Sequence, residues 1–142
     1  MPTSAKADIR LVDTSVAVAL LTTDHVAHDM VFATIASRQL GLAGHAAYES
    51  YSVLTRLPPP ARRTPASVAR LLASNFPHSR FLSPDRAAQL LAGLAGKGIA
   101  GGSVYDALVA AAAIEHALPL VSRDRRALGT YRELGANVEF LS

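Results

Sequence analysis

The stretch Ile9-Arg10-Leu11-Val12-Asp13-Thr14-Ser15-Val16-Ala17-Val18-Ala19-Leu20-Leu21 decides how the chain is built. Its first four residues read as a short strand, and Thr14 to Leu21 read as a helix. Asp13 stands where one becomes the other. Working outward, the same alternation recurs. Gln39 to Ala43, Arg80-Phe81-Leu82, Leu118 to Val121 and Val138 to Leu141 read as further strands. Asp24 to Ser37 reads as a helix with Thr23 or Asp24 as its cap, and Ala46 to Leu57 as a helix ended by Pro58-Pro59-Pro60. Thr64-Pro65 and Ser83-Pro84 each join an N-cap to a proline at the first helical position. They predict helices over Pro65 to Ser74 and Pro84 to Leu94. Ser103 is expected to cap a long helix, Val104 to His116. Strands and helices alternating in this way predict an α/β fold, a parallel sheet of about five strands covered by helices on both faces.

The chain has 142 residues, with no linker and no repeat of fixed period, so residues 1–142 are read as a single domain. Half of the residues are hydrophobic, which excludes a disordered chain. Cysteine is absent, which excludes disulfides and zinc–thiolate sites and suits a cytoplasmic location. Val16 to Leu21 and Ala107 to Ile114 are too short to span a bilayer, and Met1 to Arg10 shows no apolar leader. The net charge of +3 is carried almost wholly by arginine, which is compatible with a phosphate-rich substrate but does not require one.

In open parallel sheets, ligands bind beyond the carboxyl ends of the strands. Asp13 follows the first strand directly, and Ser122-Arg123-Asp124 follows the fourth. Glu49 and Asp106 fall in the first turns of helices. All four acids therefore have comparable addresses, at a strand exit or the start of a helix. Each taken singly also reads as an ordinary residue: an Asp in a first turn satisfies free amides, and a Glu there is commonly solvated. The joint pattern favours a shared site, because Asp13 and Asp106 lie in apolar surroundings where an unpaired acid is costly. Four gathered carboxylates need a counter-charge. An all-oxygen ligand set selects Mg2+ or Mn2+, which activate water and stabilise a leaving oxygen in phosphodiester hydrolysis. Ser15 and Ser122 are expected to offer hydroxyls to the metal-bound water or the substrate.

Four stretches then carry a resemblance: Leu11-Val12-Asp13-Thr14-Ser15, Tyr48-Glu49-Ser50-Tyr51-Ser52-Val53-Leu54-Thr55-Arg56-Leu57-Pro58, Tyr105-Asp106-Ala107-Leu108-Val109-Ala110-Ala111 and Val121-Ser122-Arg123-Asp124. In content and order the chain resembles the PIN-domain ribonucleases, and within them the VapC-type toxins of toxin–antitoxin pairs. The resemblance implies metal-dependent endonucleolytic cleavage of RNA, with Asp13, Glu49, Asp106 and Asp124 as the acidic quartet. It also implies a VapB-like antitoxin that occupies the groove, and a homodimer. The last motif opens with Ser122 where the family usually has threonine, which keeps the hydroxyl.

Arg56, Arg62 and Arg63 cluster at the proline turn, while Arg123, Arg125 and Arg126 bracket Asp124. A solvated surface and a grip on RNA phosphates both account for them; position favours Arg123 and Arg125 for substrate contact, with Arg56 beside them. Gly96-Lys97-Gly98-Ile99-Ala100-Gly101 matches a dinucleotide fingerprint in letters only, since it follows a helix rather than a strand. The five histidines lack metal spacing and receive no catalytic role. The helix over Asp24 to Ser37 is more apolar than one buried stripe requires, and both core packing and a partner account for that. Two rival functions remain. One is a non-catalytic module on the same fold that binds RNA or its antitoxin; retention of all four acids weighs against it. The other is a phosphotransfer domain with Asp13 as nucleophile; Ser15, where such enzymes place a second acid, weighs against that.

Overall fold

A computed structural model describes residues 8–142. The first seven residues, and with them most of the stretch read as lacking a leader, lie outside the described residues. Four strands, β1 (Ile9–Val12), β2 (Gln39–Leu42), β3 (Leu120–Ser122) and β4 (Val138–Phe140), form one sheet in the order β2-β1-β3-β4. Every neighbouring pair is parallel, with Leu11 opposite both Gly41 and Leu120. Among the described residues, seven α-helices surround the sheet: α1 (Thr14–Leu21), α2 (His28–Ile35), α3 (Ala46–Thr55), α4 (Pro65–Asn75), α5 (Pro84–Gly93), α6 (Ser103–Glu115) and α7 (Arg125–Leu134). Among the described residues, no helix is long and apolar enough to cross a membrane.

Alternation along the central strands sends side chains to two cores, one on each face of the sheet. Val12 and Val121 join Leu40, Leu42, Val16, Leu20, Val31 and Leu54 on one side. Leu11 and Leu120 join Val109, Ala110, Ala113 and Tyr131 on the other. The apolar α1 is buried along most of its length, as its composition requires.

The expected fifth strand, Arg80-Phe81-Leu82, is reduced to a single parallel bridge between Ala43 and Arg80, and the sheet has four strands. The cause is local. Residues 78–80 do run along the edge of β2: His78 N–H donates to the Leu40 carbonyl at 3.1 Å, and Arg80 N–H to that of Leu42 at 3.1 Å. Between these bonds, however, Leu42 N–H donates to the Ser79 hydroxyl at 2.9 Å rather than to a backbone carbonyl, so the ladder is interrupted.

The proline-headed helices start where expected: the Thr64 and Ser83 hydroxyls accept from Ser67 N and Arg86 N. The helix expected over Asp24 to Ser37 is shorter. Two tight turns (His25 N–H to Thr22 O and His28 N–H to His25 O) delay its start to His28, and Ala27, not Thr23 or Asp24, precedes it. Its Val31 and Ile35 face the core and its Phe32 faces solvent, as does Val26 in the turn before it. Ser103 begins α6 but does not cap it; Gly102 holds that position without a side-chain bond.

Candidate active site

The chain leaves β1 toward β2, whereas β3 is followed by β4 on the opposite side. β1 and β3 are therefore neighbours whose continuations diverge, the arrangement that opens a crevice at their carboxyl ends. Asp13 stands at the exit of β1 and caps α1, accepting from Val16 N–H at 3.3 Å. Asp124 stands beyond the exit of β3 and caps α7 through Arg126 N–H at 3.0 Å. Glu49 and Asp106 are supplied by the first turns of α3 and α6. All four line one cleft of about 50 Å³, together with Arg126 and Tyr131. The chain has larger hollows, including an open one of about 690 Å³ along α4 lined by Arg63 and Arg70, but none gathers this chemistry.

Asp13 is the deepest of the acids, 3% exposed. Its Oδ1 accepts from the Ser15 hydroxyl at 2.5 Å, and its Oδ2 from the Ser122 hydroxyl at 2.5 Å and the Tyr131 hydroxyl at 2.9 Å. Burial nevertheless dominates and raises its carboxyl above the usual range, against the pull of those donors. Two of those donors are the serines read as carrying hydroxyls at the site. Each hydroxyl is turned onto Asp13 and accepts a backbone N–H in return, from Arg123 for Ser15 at 2.9 Å and from Asp124 for Ser122 at 3.0 Å. They orient the carboxylate and stitch the exits of β1 and β3 together.

Tyr131 was not legible as a site residue. It lies on the inward stripe of α7 with Ala127, and a buried tyrosine needs a partner for its hydroxyl. Burial and the Asp13 charge push its hydroxyl far up, so it remains a donor. Ser122→Ala and Tyr131→Phe each remove one donor from a buried carboxylate. Each is expected to lower unfolding free energy by about 2 kcal/mol, read from urea midpoints at constant slope.

Glu49 and Asp106 are likewise raised, first by burial. The neighbouring acids add to this for Glu49, while His45, whose Nε2 lies 3.8 Å from Glu49 Oε1, opposes it. For Asp106 the opposing group is Arg126, whose guanidinium donates to Asp106 Oδ2 and to Asp124 Oδ2, each at 3.1 Å. Of the arginines around Asp124, Arg126 is therefore the one in the cleft. Arg125 lies over the Phe140 ring, 4.8 Å from its centroid, and Arg123 reaches the site through its backbone. Arg56, at the end of α3, donates to the Ser52 hydroxyl at 3.3 Å. A surface of exposed rings adjoins the acids: Tyr48 precedes Glu49, Tyr105 precedes Asp106 and stacks on His45, and Tyr48 meets Phe81 edge-on.

The donor set fits a hard divalent cation in kind. Its ligands are oxygens, its four carboxylates outnumber the single arginine, and Thr14 Oγ1, also lining the cleft, is buried without a hydrogen-bond partner. Among the described residues, no three carboxylates or imidazoles are already drawn together in ligating geometry.

The fold and the site together define a doubly wound parallel α/β domain with an acidic cluster at its switch point. Within that class, residues 10–133 match the PIN domain, and the chain belongs to the PIN-domain family. It is 50% identical over 127 residues to Ribonuclease VapC27 of Mycobacterium tuberculosis, covering 89% of this chain and 93% of that protein. It is 41% identical over 132 residues to Ribonuclease VapC40 of the same species, covering 92% and 97%. The fold is similar to that of VapBC2 from Rickettsia felis bound to a promoter DNA fragment (TM-score 0.66, 15% identity, 94% and 99% covered). It is also similar to FitAB bound to the IR36 DNA fragment (TM-score 0.65, 20% identity, 92% and 94% covered). These relatives place the chain among the VapC-type members of the family.

Proposed function

We propose that this protein is a Mg2+- or Mn2+-dependent endoribonuclease of the VapC toxin type, hydrolysing RNA phosphodiester bonds at Asp13, Glu49, Asp106 and Asp124. One observation carries the reading: four acids distant in sequence meet in a single cleft at the β1/β3 switch point. The names of the curated relatives, ribonucleases at up to half identity, support the substrate.

Asp106, Asp124, Glu49 and Asp13 would hold the cation, which when bound supplies an activated water and charge neutralisation at the phosphate. The rest is done by the chain. Ser15, Ser122 and Tyr131 fix the Asp13 carboxylate and, being rotatable hydroxyls, can yield a lone pair to a cation. Glu49 is half-buried with its Oε1 3.8 Å from His45 Nε2, a neighbour that keeps its carboxylate turned to the cleft. Arg123 and Arg125, on either side of Asp124 in the chain, and Arg56, at the C-terminal end of α3, are assigned to the RNA backbone on sequence position and charge. The exposed Tyr48, Phe81 and Tyr105 beside the acids support a protein partner at the groove, a VapB-like antitoxin, in a homodimeric toxin.

The test is cleavage of a defined single-stranded RNA by the purified protein. Cleavage with Mg2+ or Mn2+, lost in excess chelator and regained on adding the metal back, is the expected result. Undiminished cleavage in chelator overturns the metal dependence. Growth arrest on expression, relieved by the protein encoded beside it, is expected for the toxin assignment.

A further inference from the structure

Arg126 holds three points of the site at once. Its backbone N–H donates to Asp124 Oδ1 at 3.0 Å, one guanidinium nitrogen donates to Asp124 Oδ2 at 3.1 Å, and the other to Asp106 Oδ2 at 3.1 Å. The planar fork of arginine spans two carboxylates in a way that a lysine ammonium does not. Position does not force this contact. The side chain is 67% exposed and has open solvent to turn into, as Arg125 turns toward Phe140. The electrostatics explain the choice: four acids line the cleft, and Arg126 is the cation that reaches in.

We infer that Arg126 competes with the divalent cation for Asp106 and Asp124, so that this arginine sets how tightly the site takes metal. The inference rests on the proposal that the quartet holds the cation. An oxygen at Asp106 or Asp124 cannot give the same lone pair to a guanidinium N–H and to a metal ion, and two positive groups at one pair of carboxylates repel each other. The exposed ion pairs are individually weak. A doubly charged ion therefore displaces the side chain, but with an affinity lowered by what the displaced pairs contributed. The backbone N–H of Arg126 stays with Asp124 throughout, so the cap of α7 does not depend on which cation is present.

The test is Mn2+ binding to the RNA-free full chain, followed by the electron paramagnetic resonance of free Mn2+ and by calorimetry, for the wild type, Arg126→Gln and Arg126→Lys. Arg126→Gln is expected to bind Mn2+ about fivefold tighter, which is what about 1 kcal/mol of competing ion pairing corresponds to. Arg126→Lys, which keeps a charge but loses the fork, falls between the two. In chelator, Arg126→Gln melts below the wild type, because Asp106 and Asp124 lose their counter-charge; saturating Mn2+ closes the gap. Affinity in Arg126→Gln equal to or weaker than that of the wild type overturns the inference while leaving the metal site standing. Absence of Mn2+ binding in all three proteins overturns both.

Discussion

Asp106→Asn is expected to lower metal-dependent RNA cleavage by about three orders of magnitude while the protein remains folded. Asparagine keeps the size of the side chain and one carbonyl oxygen, so shape is conserved. What it removes is charge. Asp106 is 8% exposed on α6, with its carboxyl raised by burial and partnered by Arg126. A cation drawn to the cleft loses one of the four charges that compensate it, and Arg126 loses half of its fork. The substitution also removes a buried charge that burial disfavours, so stability changes little or rises. Activity and stability therefore separate. Cleavage assays at saturating Mn2+ together with urea denaturation measure both. A variant cleaving within tenfold of the wild type shows that Asp106 is not at the reacting phosphate. Loss of cleavage with a matching loss of fold assigns the residue to structure alone.

The parts of this site that could be read from sequence are those whose chemistry is local. Asp13 is legible because an acid directly after a buried strand and before a helix has few places to be. Thr64-Pro65 and Ser83-Pro84 are legible because cap and proline act within four residues. Arg126 and Tyr131 are not. Arg126 meets Asp106 across 20 positions and Tyr131 meets Asp13 across 118, so nothing near either residue announces the contact. Position beside Asp124 is what all three arginines share, and only the start of α7 decides which enters the cleft. The contacts of Ser15 and Ser122 are hidden for the same reason: each pairs with the other's strand exit, and the hydroxyl spacing alone does not reveal a carboxylate between them. The start of α2 failed differently, because apolar residues continued into a turn where periodicity still looked helical. The strand at Arg80 failed on a single side chain, since Ser79 replaced a carbonyl in the ladder.

That same edge carries the largest expected effect on stability. Gly41→Ala in β2 is expected to cost about 4 kcal/mol or more and to leave little folded protein at 37 °C. A Cβ at Gly41 would stand 2.1 Å from the His78 carbonyl oxygen and 2.6 Å from Ser79 N, contacts that no real side chain tolerates. Both atoms are backbone, so no flexible side chain can swing aside. To relieve the clash, residues 78–80 must leave β2, which breaks the His78, Ser79 and Arg80 bonds to Leu40 and Leu42 together. The Gly44 N–H bond to the Arg80 carbonyl, 2.7 Å, goes with them. Gly44 leads into α3, so the damage reaches Glu49 in the cleft. Gly129→Ala is the control. Gly129 sits within α7, nothing lies within 4 Å of a Cβ there, and alanine should stabilise by about 0.5–1 kcal/mol through helix propensity. Thermal and urea unfolding of the two variants therefore move in opposite directions. If Gly41→Ala unfolds with the wild-type midpoint, residues 78–80 are not seated against β2, and Glu49 is held by α3 packing alone.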